Sequence, residues 1–137
     1  MPAHKPEECD LLLIEALNKG DVDTVVALYE PTARFVLDSG QVVMGHAAIR
    51  EVMQGYVAAK AEFTIEKVTA IPSEEGNVAL TSVKGRARVT EPDGRVVTMT
   101  AQSMEVVRRQ SDGTWLFMID NPNGANWKEV PDSPGEQ

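Results

Sequence analysis

Apolar positions near the start of the chain recur at helical spacing. Leu13, Ala16 and Leu17 form a stripe that Leu12 and Ile14 widen, and this predicts a helix over residues 6–19. Pro6 suits the first turn, where a missing N–H costs nothing, and Glu7, Glu8 and Asp10 favour the positive end of the helix dipole. Gly20 fits a left-handed cap and Asp21 an N-cap. Val22, Val25, Val26 and Tyr29 then predict a second helix, which Pro31 stops. A short strand at 34–37, a turn at 38–40 and a returning strand at 41–44 follow. A third helix opens after Gly45, with Ile49, Val52, Met53 and Tyr56 on one face.

From residue 61 the pattern changes from helical to alternating. Strands are predicted over 63–71, 78–90, 96–109 and 115–120, with turns at 72–77, 91–94 and 110–113. Helices first and a meander of long strands after them means an α+β domain with a mostly antiparallel sheet. The expected organisation is a tail at 1–5, one domain over 6–130 and a polar, breaker-rich tail at 131–137.

Composition narrows the partners. The formal net charge is −8, from 13 Lys and Arg against 21 Asp and Glu. That balance argues against the phosphate neutralisation that nucleic acid or an anionic membrane surface requires, so neither is an expected partner. Cys9 stands alone, which excludes an internal disulfide and suits a reducing cytoplasm. The start of the chain lacks an apolar signal region, and the run at 11–14 is too short to span a bilayer. There is no Cys/His cluster, phosphate loop, dinucleotide fingerprint or nucleophile elbow, so neither a metal nor a cofactor is expected.

The order of elements resembles a known family. The pattern lies in Asn18, Lys19, Gly20 and Asp21 between two helices, in Ala27, Leu28 and Tyr29 before a short strand, and in Gly45, His46, Ala47, Ala48 and Ile49 at the third helix. It ends in long strands and the stretch from Arg108 to Trp115, followed by Ile119, Asp120, Asn121 and Pro122. This resembles the nuclear transport factor 2-like superfamily, which includes ketosteroid isomerases, polyketide cyclases and SnoaL-like proteins. The resemblance implies a cystatin-like cone: three N-terminal helices on a curved, mostly antiparallel sheet, with a small-molecule pocket between them. It also implies a homodimer through the outer sheet face.

Ketosteroid isomerases use two acids tuned apart, helped by a tyrosine. The resemblance places the base near Asp38, one residue out of step, and a plain hairpin turn at Asp38, Ser39 and Gly40 is the competing reading. It places the tyrosine at Leu13, so that phenol is missing, and the protonated acid at Glu105, whose face Ser103 and Val107 share. Steroid isomerisation is therefore not expected, while proton transfer by a carboxyl group stays open. Strand alternation puts Leu116, Met118 and Asp120 together, so Asp120 is either a pocket acid or a cap on the turn at Asn121 and Pro122.

Lys84, Arg86 and Arg88 line one face of their strand. With Asp93 and Gly94 at the centre of the hairpin, Arg86 lies opposite Ala101 and on the side of Glu105, able to hold a substrate carboxylate. A solvated outer face is the alternative. The expected catalytic set is thus Asp38, Glu105 and Asp120, and the expected binding set Tyr56, Arg86, Ser103, Met118 and Asn121. Two functions remain: a cofactor-independent isomerase or lyase acting on a small organic ligand, or a non-catalytic dimeric binding or assembly module.

Overall fold

The structure, a computed structural model, describes residues 2–124. Helix α1 (Pro6–Asn18) starts at a proline, as expected, and buries Cys9, Asp10, Leu13, Ala16 and Leu17. Gly20, at φ 72°, turns the chain into α2 (Val22–Ala27), which Asp21 caps by accepting from the Thr24 N–H at 3.2 Å. That helix stops two residues short of Tyr29. Strand β1 (Tyr29–Val36) begins there, and Pro31 lies inside a strand rather than ending a helix. Proline has no N–H for the ladder, and the pairing of β1 with β7 is irregular between Tyr29 and Arg34, where Pro31 sits.

After β2 (Val42–Met44) and α3 (His46–Ala58) come β3 (Glu62–Pro72), β4 (Val78–Thr90), β5 (Val96–Gln102), β6 (Met104–Arg109) and β7 (Trp115–Asn121). The predicted strand at 96–109 is thus two strands meeting at Ser103. There the Ser103 N–H donates to the Val83 carbonyl at 2.9 Å, while the Ser103 hydroxyl accepts from the Val83 N–H at 3.0 Å. A side chain stands in for one backbone acceptor, and the strand bends. The sheet runs β2-β1-β7-β6-β4-β3, with β5 also on β4. Only the β1–β7 contact is parallel among the described strands.

Two bulges add curvature. One, on β3 at Glu66, lies beside Gly85, where a Cβ would sit 2.4 Å from the Thr64 carbonyl oxygen. The other, on β7 at Met118, breaks the strict alternation expected for that strand. The concave face holds the core, built from Tyr29, Phe35, Phe117, Ile49, Met53 and Val107 with the inner side of α1. Helix α1 lies over β3, β4, β6 and β7, and α3 over β1 and β2, while β5 packs on β4 alone.

Within the stretch expected as a tail, Ala3 is fully buried and its carbonyl accepts from the Trp115 N–H at 2.9 Å. The tail expected at 131–137 lies outside the described residues. Among those residues no helix is long and apolar enough to cross a membrane.

Candidate functional site

Strand register builds one row across the concave face: Val43, Phe35, Asp120, Glu105, Thr81 and Ala70 are successive partners on six strands. Two carboxyl groups are therefore direct cross-strand neighbours, with apolar residues at either end of the row. Asp120 is 4% exposed and Glu105 2%. Helix α1 brings a third acid, Asp10, down onto the row beside Thr81 and Glu105. The Thr81 hydroxyl donates to Glu105 Oε1 at 3.0 Å, and the Tyr29 phenol donates to Asp120 Oδ2. Tyr29 is itself held from both sides. Its ring packs on Phe117 with centroids 4.9 Å apart, and His46 Nε2 lies 2.8 Å from its carbonyl oxygen.

The electrostatics follow from burial without a counter-ion among the described residues. Burial pushes Asp120 up to about 7, with the Asp10 charge acting in the same direction and the Tyr29 hydrogen bond opposing. Glu105 is driven far above the ordinary carboxylate range by burial first and by the charges of Asp120 and Asp10 next, with the Ser103 hydroxyl opposing. Burial also raises Asp10, with its neighbours Glu105 and Thr81 acting in the opposite direction. The Tyr29 phenol is raised by burial and by Asp120, and so stays a donor. Glu105 is thus held neutral where Asp120 titrates near neutrality, so the first can donate a proton where the second can accept one.

The expected residues divide. Glu105 and Asp120 come together. Asp38 does not join them: it is exposed in the β1–β2 turn and accepts from Asn123 Nδ2 at 2.8 Å. Tyr56 is half-buried, edge-on to Phe63 at 5.6 Å, and burial and the charges of Asp120 and Asp38 raise its phenol. Ser103 stands at the strand break and touches the row through Glu105.

Arg86 is a correction. It pairs with Thr100, not Ala101, because the turn closes around Asp93, with the Glu91 N–H donating to the Arg95 carbonyl at 2.7 Å. The one-residue difference sends the basic stripe to the outer face. There Arg86 is 53% exposed and lies 3.3 Å from Glu66. Met118 is a second correction. As the bulge residue it lets Asp120 join Trp115 and Phe117 inside, rather than sharing a face with Leu116 and Met118. Asn121 follows Asp120 and so points away from the row; its Nδ2 donates to the Gly124 carbonyl at 3.4 Å, closing the turn.

Sequence reasoning missed Asp10, Tyr29 and Thr81. Asp10 lies three residues before Leu13 and seven before Leu17, on the apolar stripe itself, and that position was the available signal. The place expected for a phenol holds Leu13, a core residue, and the phenol beside the acid comes instead from the first residue of β1.

Cys9 is buried, donates to the Trp115 carbonyl at 3.6 Å and is pushed up to about 12 by burial, which leaves it a neutral thiol. Among the described residues no group of three or more His, Cys, Asp or Glu side chains is arranged to hold a metal ion. Two surface concavities lie away from the acids. One is between the end of α3 at Ala58 and Lys60 and the β4–β5 turn at Glu91 and Pro92, and the other is by Glu66, Lys84 and Gln102.

No curated protein matches the chain. Solved structures share its fold. A nuclear transport factor 2-like superfamily protein from Salmonella enterica serovar Typhimurium is 16% identical, covers 93% of each chain and has a TM-score of 0.75. A candidate dehydratase of the nuclear transport factor 2-like family from Streptomyces avermitilis is 18% identical over 82% of this chain and 88% of its own, with a TM-score of 0.70. A Novosphingobium aromaticivorans protein with a cystatin-like fold is 14% identical over 83% and 75%, with a TM-score of 0.69. The SnoaL-like domain model matches residues 12–118, most of the chain. The chain belongs to the SnoaL-like domain family.

Proposed function

We propose that this protein is a cofactor-independent isomerase or lyase acting on a small, enolisable organic ligand, with Asp120 as the base and Glu105 as the acid. The observation that supports it is the pairing of these two carboxyl groups across β6 and β7, both buried and tuned apart. Asp120 takes a proton from the carbon beside a carbonyl. The electron pair of that C–H bond moves onto the carbonyl oxygen, and the neutral Glu105 stabilises the enolate by hydrogen bonding. The proton then returns to a different carbon, or a leaving group on the neighbouring carbon departs. The ligand approaches over β5, the strand that no helix packs against. The similarity to a candidate dehydratase is in keeping with lyase chemistry.

Hydrogen–deuterium exchange at carbon, followed by NMR with a panel of enolisable ketones in heavy water, tests the reading. Exchange by the native chain that is lost in Asp120→Asn and Glu105→Gln supports it. Exchange that persists in both variants refutes it, and so does a native chain inert to the whole panel. That last result favours the second reading, a non-catalytic binding module, which the closure over Glu105 and Asp120, 2% and 4% exposed, supports.

The family likeness and one surface also support a homodimer. The outer face carries Met44, Ile119, Val106, Leu80 and Ile71 along one register row interrupted only by Arg34, and Ile71 is 59% exposed. Such a row suits a second copy of the same sheet face. Native mass at micromolar concentration should show a dimer, and Leu80→Lys should give a monomer. A monomeric native chain refutes the assembly.

A further inference from the structure

We propose that Asp10 and Glu105 form one acid pair, sharing a single proton between α1 and β6, and that Asp10 acts through this pair as a positioning residue for the acid–base site. The pairing stands on the burial of Asp10 and on the missing partner of its Oδ2; its catalytic consequence rests on the function proposed above.

The argument starts from an orphan. Asp10 is 1% exposed, and its Oδ2 has no hydrogen-bond partner. Buried polar oxygens are rarely left so, and the cost of leaving one is paid in full. Among the described residues, three nearby donors are committed elsewhere. The Thr81 hydroxyl donates to Glu105 Oε1, the Tyr29 phenol to Asp120, and the Cys9 thiol to the Trp115 carbonyl. The arginines of this part of the sheet are occupied outside. Arg108 Nε and Nη2 hold Glu30 at 2.8 and 2.6 Å, and Arg86 lies beside Glu66. The neighbour that remains is Glu105 itself, in side-chain contact with Asp10.

Two ionised carboxylates cannot share such a site. In the ligand-free chain a proton between them supplies the missing donor, leaves one negative charge on the pair, and satisfies Asp10 without moving any other group; a bound enolate would compete with Asp10 for it. The titratable groups that face the pair are Cys9 from α1, Asp120 from β7 and Tyr29 from β1. The charge left on the pair raises the proton affinity of Asp120 across the row. Asp10, which need not touch a ligand, would in this way set the strength of the base.

Carbon-13 NMR of the full chain, labelled at the Asp and Glu carboxyl carbons and titrated with acid and base, tests this. In the native chain the Asp10 and Glu105 signals should both report the same two titration steps. In Asp10→Asn the Glu105 signal should show one step, with proton affinity at least tenfold weaker. In Glu105→Gln the Asp10 signal should likewise lose its second step. A single, ordinary carboxylate step for Asp10 in the native chain overturns the proposal, and that measurement needs no variant to fold. If carbon exchange is found, Asp10→Asn should move the pH midpoint of its rate down by the same tenfold while leaving the ligand KM in place. A native chain without exchange would end the enzymatic reading and leave the paired titration standing.

Discussion

Replacing Asp120 with asparagine should make the protein more stable above neutral pH. The side chain is buried between the Tyr29 phenol and Glu105, and asparagine keeps its shape and can still accept from Tyr29. Burial raises the folded-state value from 3.8 to about 7. The folded chain therefore holds this proton where the unfolded chain has released it. Its stabilising effect is complete below about 3.8, declines as pH rises and is gone once pH passes about 7. At about 1.4 kcal/mol for each tenfold in proton affinity, the ionised group costs the fold on the order of 4 kcal/mol at alkaline pH. For a chain of this size that corresponds to roughly 15 °C in Tm. Thermal and urea unfolding followed by circular dichroism from pH 5 to 9 would read it. The native curve should fall through this window and the Asp120→Asn curve should be flatter, with the gap opening as pH rises. Parallel curves, or a native stability that climbs with pH, would refute the idea that Asp120 is buried without a compensating charge.

Other expectations test the frame around the site. Gly85→Ala should lower stability by about 2 kcal/mol or more, because its Cβ would meet the Thr64 carbonyl oxygen at 2.4 Å and backbone cannot step aside as a side chain can; an unchanged Tm would show that the β3 bulge yields. Arg108→Met should cost on the order of 1–3 kcal/mol at pH 7 by stranding the Glu30 carboxylate, which is 7% exposed. Arg108 holds Glu30 below the ordinary carboxylate range, so this contribution is present above 4.5 and fades as pH falls through the lowered folded value. Equal losses at pH 7 and pH 3 by urea titration would mean the arginine acts by packing alone.

The overall layout was legible because it rests on periodicity. The caps at Pro6, Gly20 and Asp21, the strand at 78–90 and the switch from helical to alternating pattern all speak through local sequence. What sequence could not supply was parity. A hairpin closing around Asp93 instead of between Asp93 and Gly94 moves Arg86 from the inner face to the outer. A bulge at Met118 gives Asp120 its inward place, though the plain alternation of β7 groups it with Leu116 and Met118. Glu105 was found by counting back from a turn that has no bulge before it, and Asp38 by a count already one residue out. Asp10 and Tyr29 were hidden for another reason. Both carried adequate local explanations, a helix-dipole charge and a helix-stripe aromatic, and only tertiary packing brings them to the row.

The distribution of charge bears on why the acids lie where they do. This chain has fewer bases than acids, and it places several of the bases on the outside. Glu62 faces Arg88 at 3.7 Å, Glu66 faces Arg86, and Glu30 is clasped by Arg108. The acids of the concave face receive only hydroxyl groups and one another. A carboxylate kept for structure gains most from a cation, and a fold able to supply one to Glu30 could supply one to Glu105. Surrounding a carboxyl group with hydroxyl donors and other acids does something different. It leaves the group able to gain and lose a proton within the range where water chemistry runs, at a standing cost in stability. Stability measured against pH therefore bears on the function proposed above, because the same missing cation that weakens the fold at high pH would leave Asp120 free to act as a base.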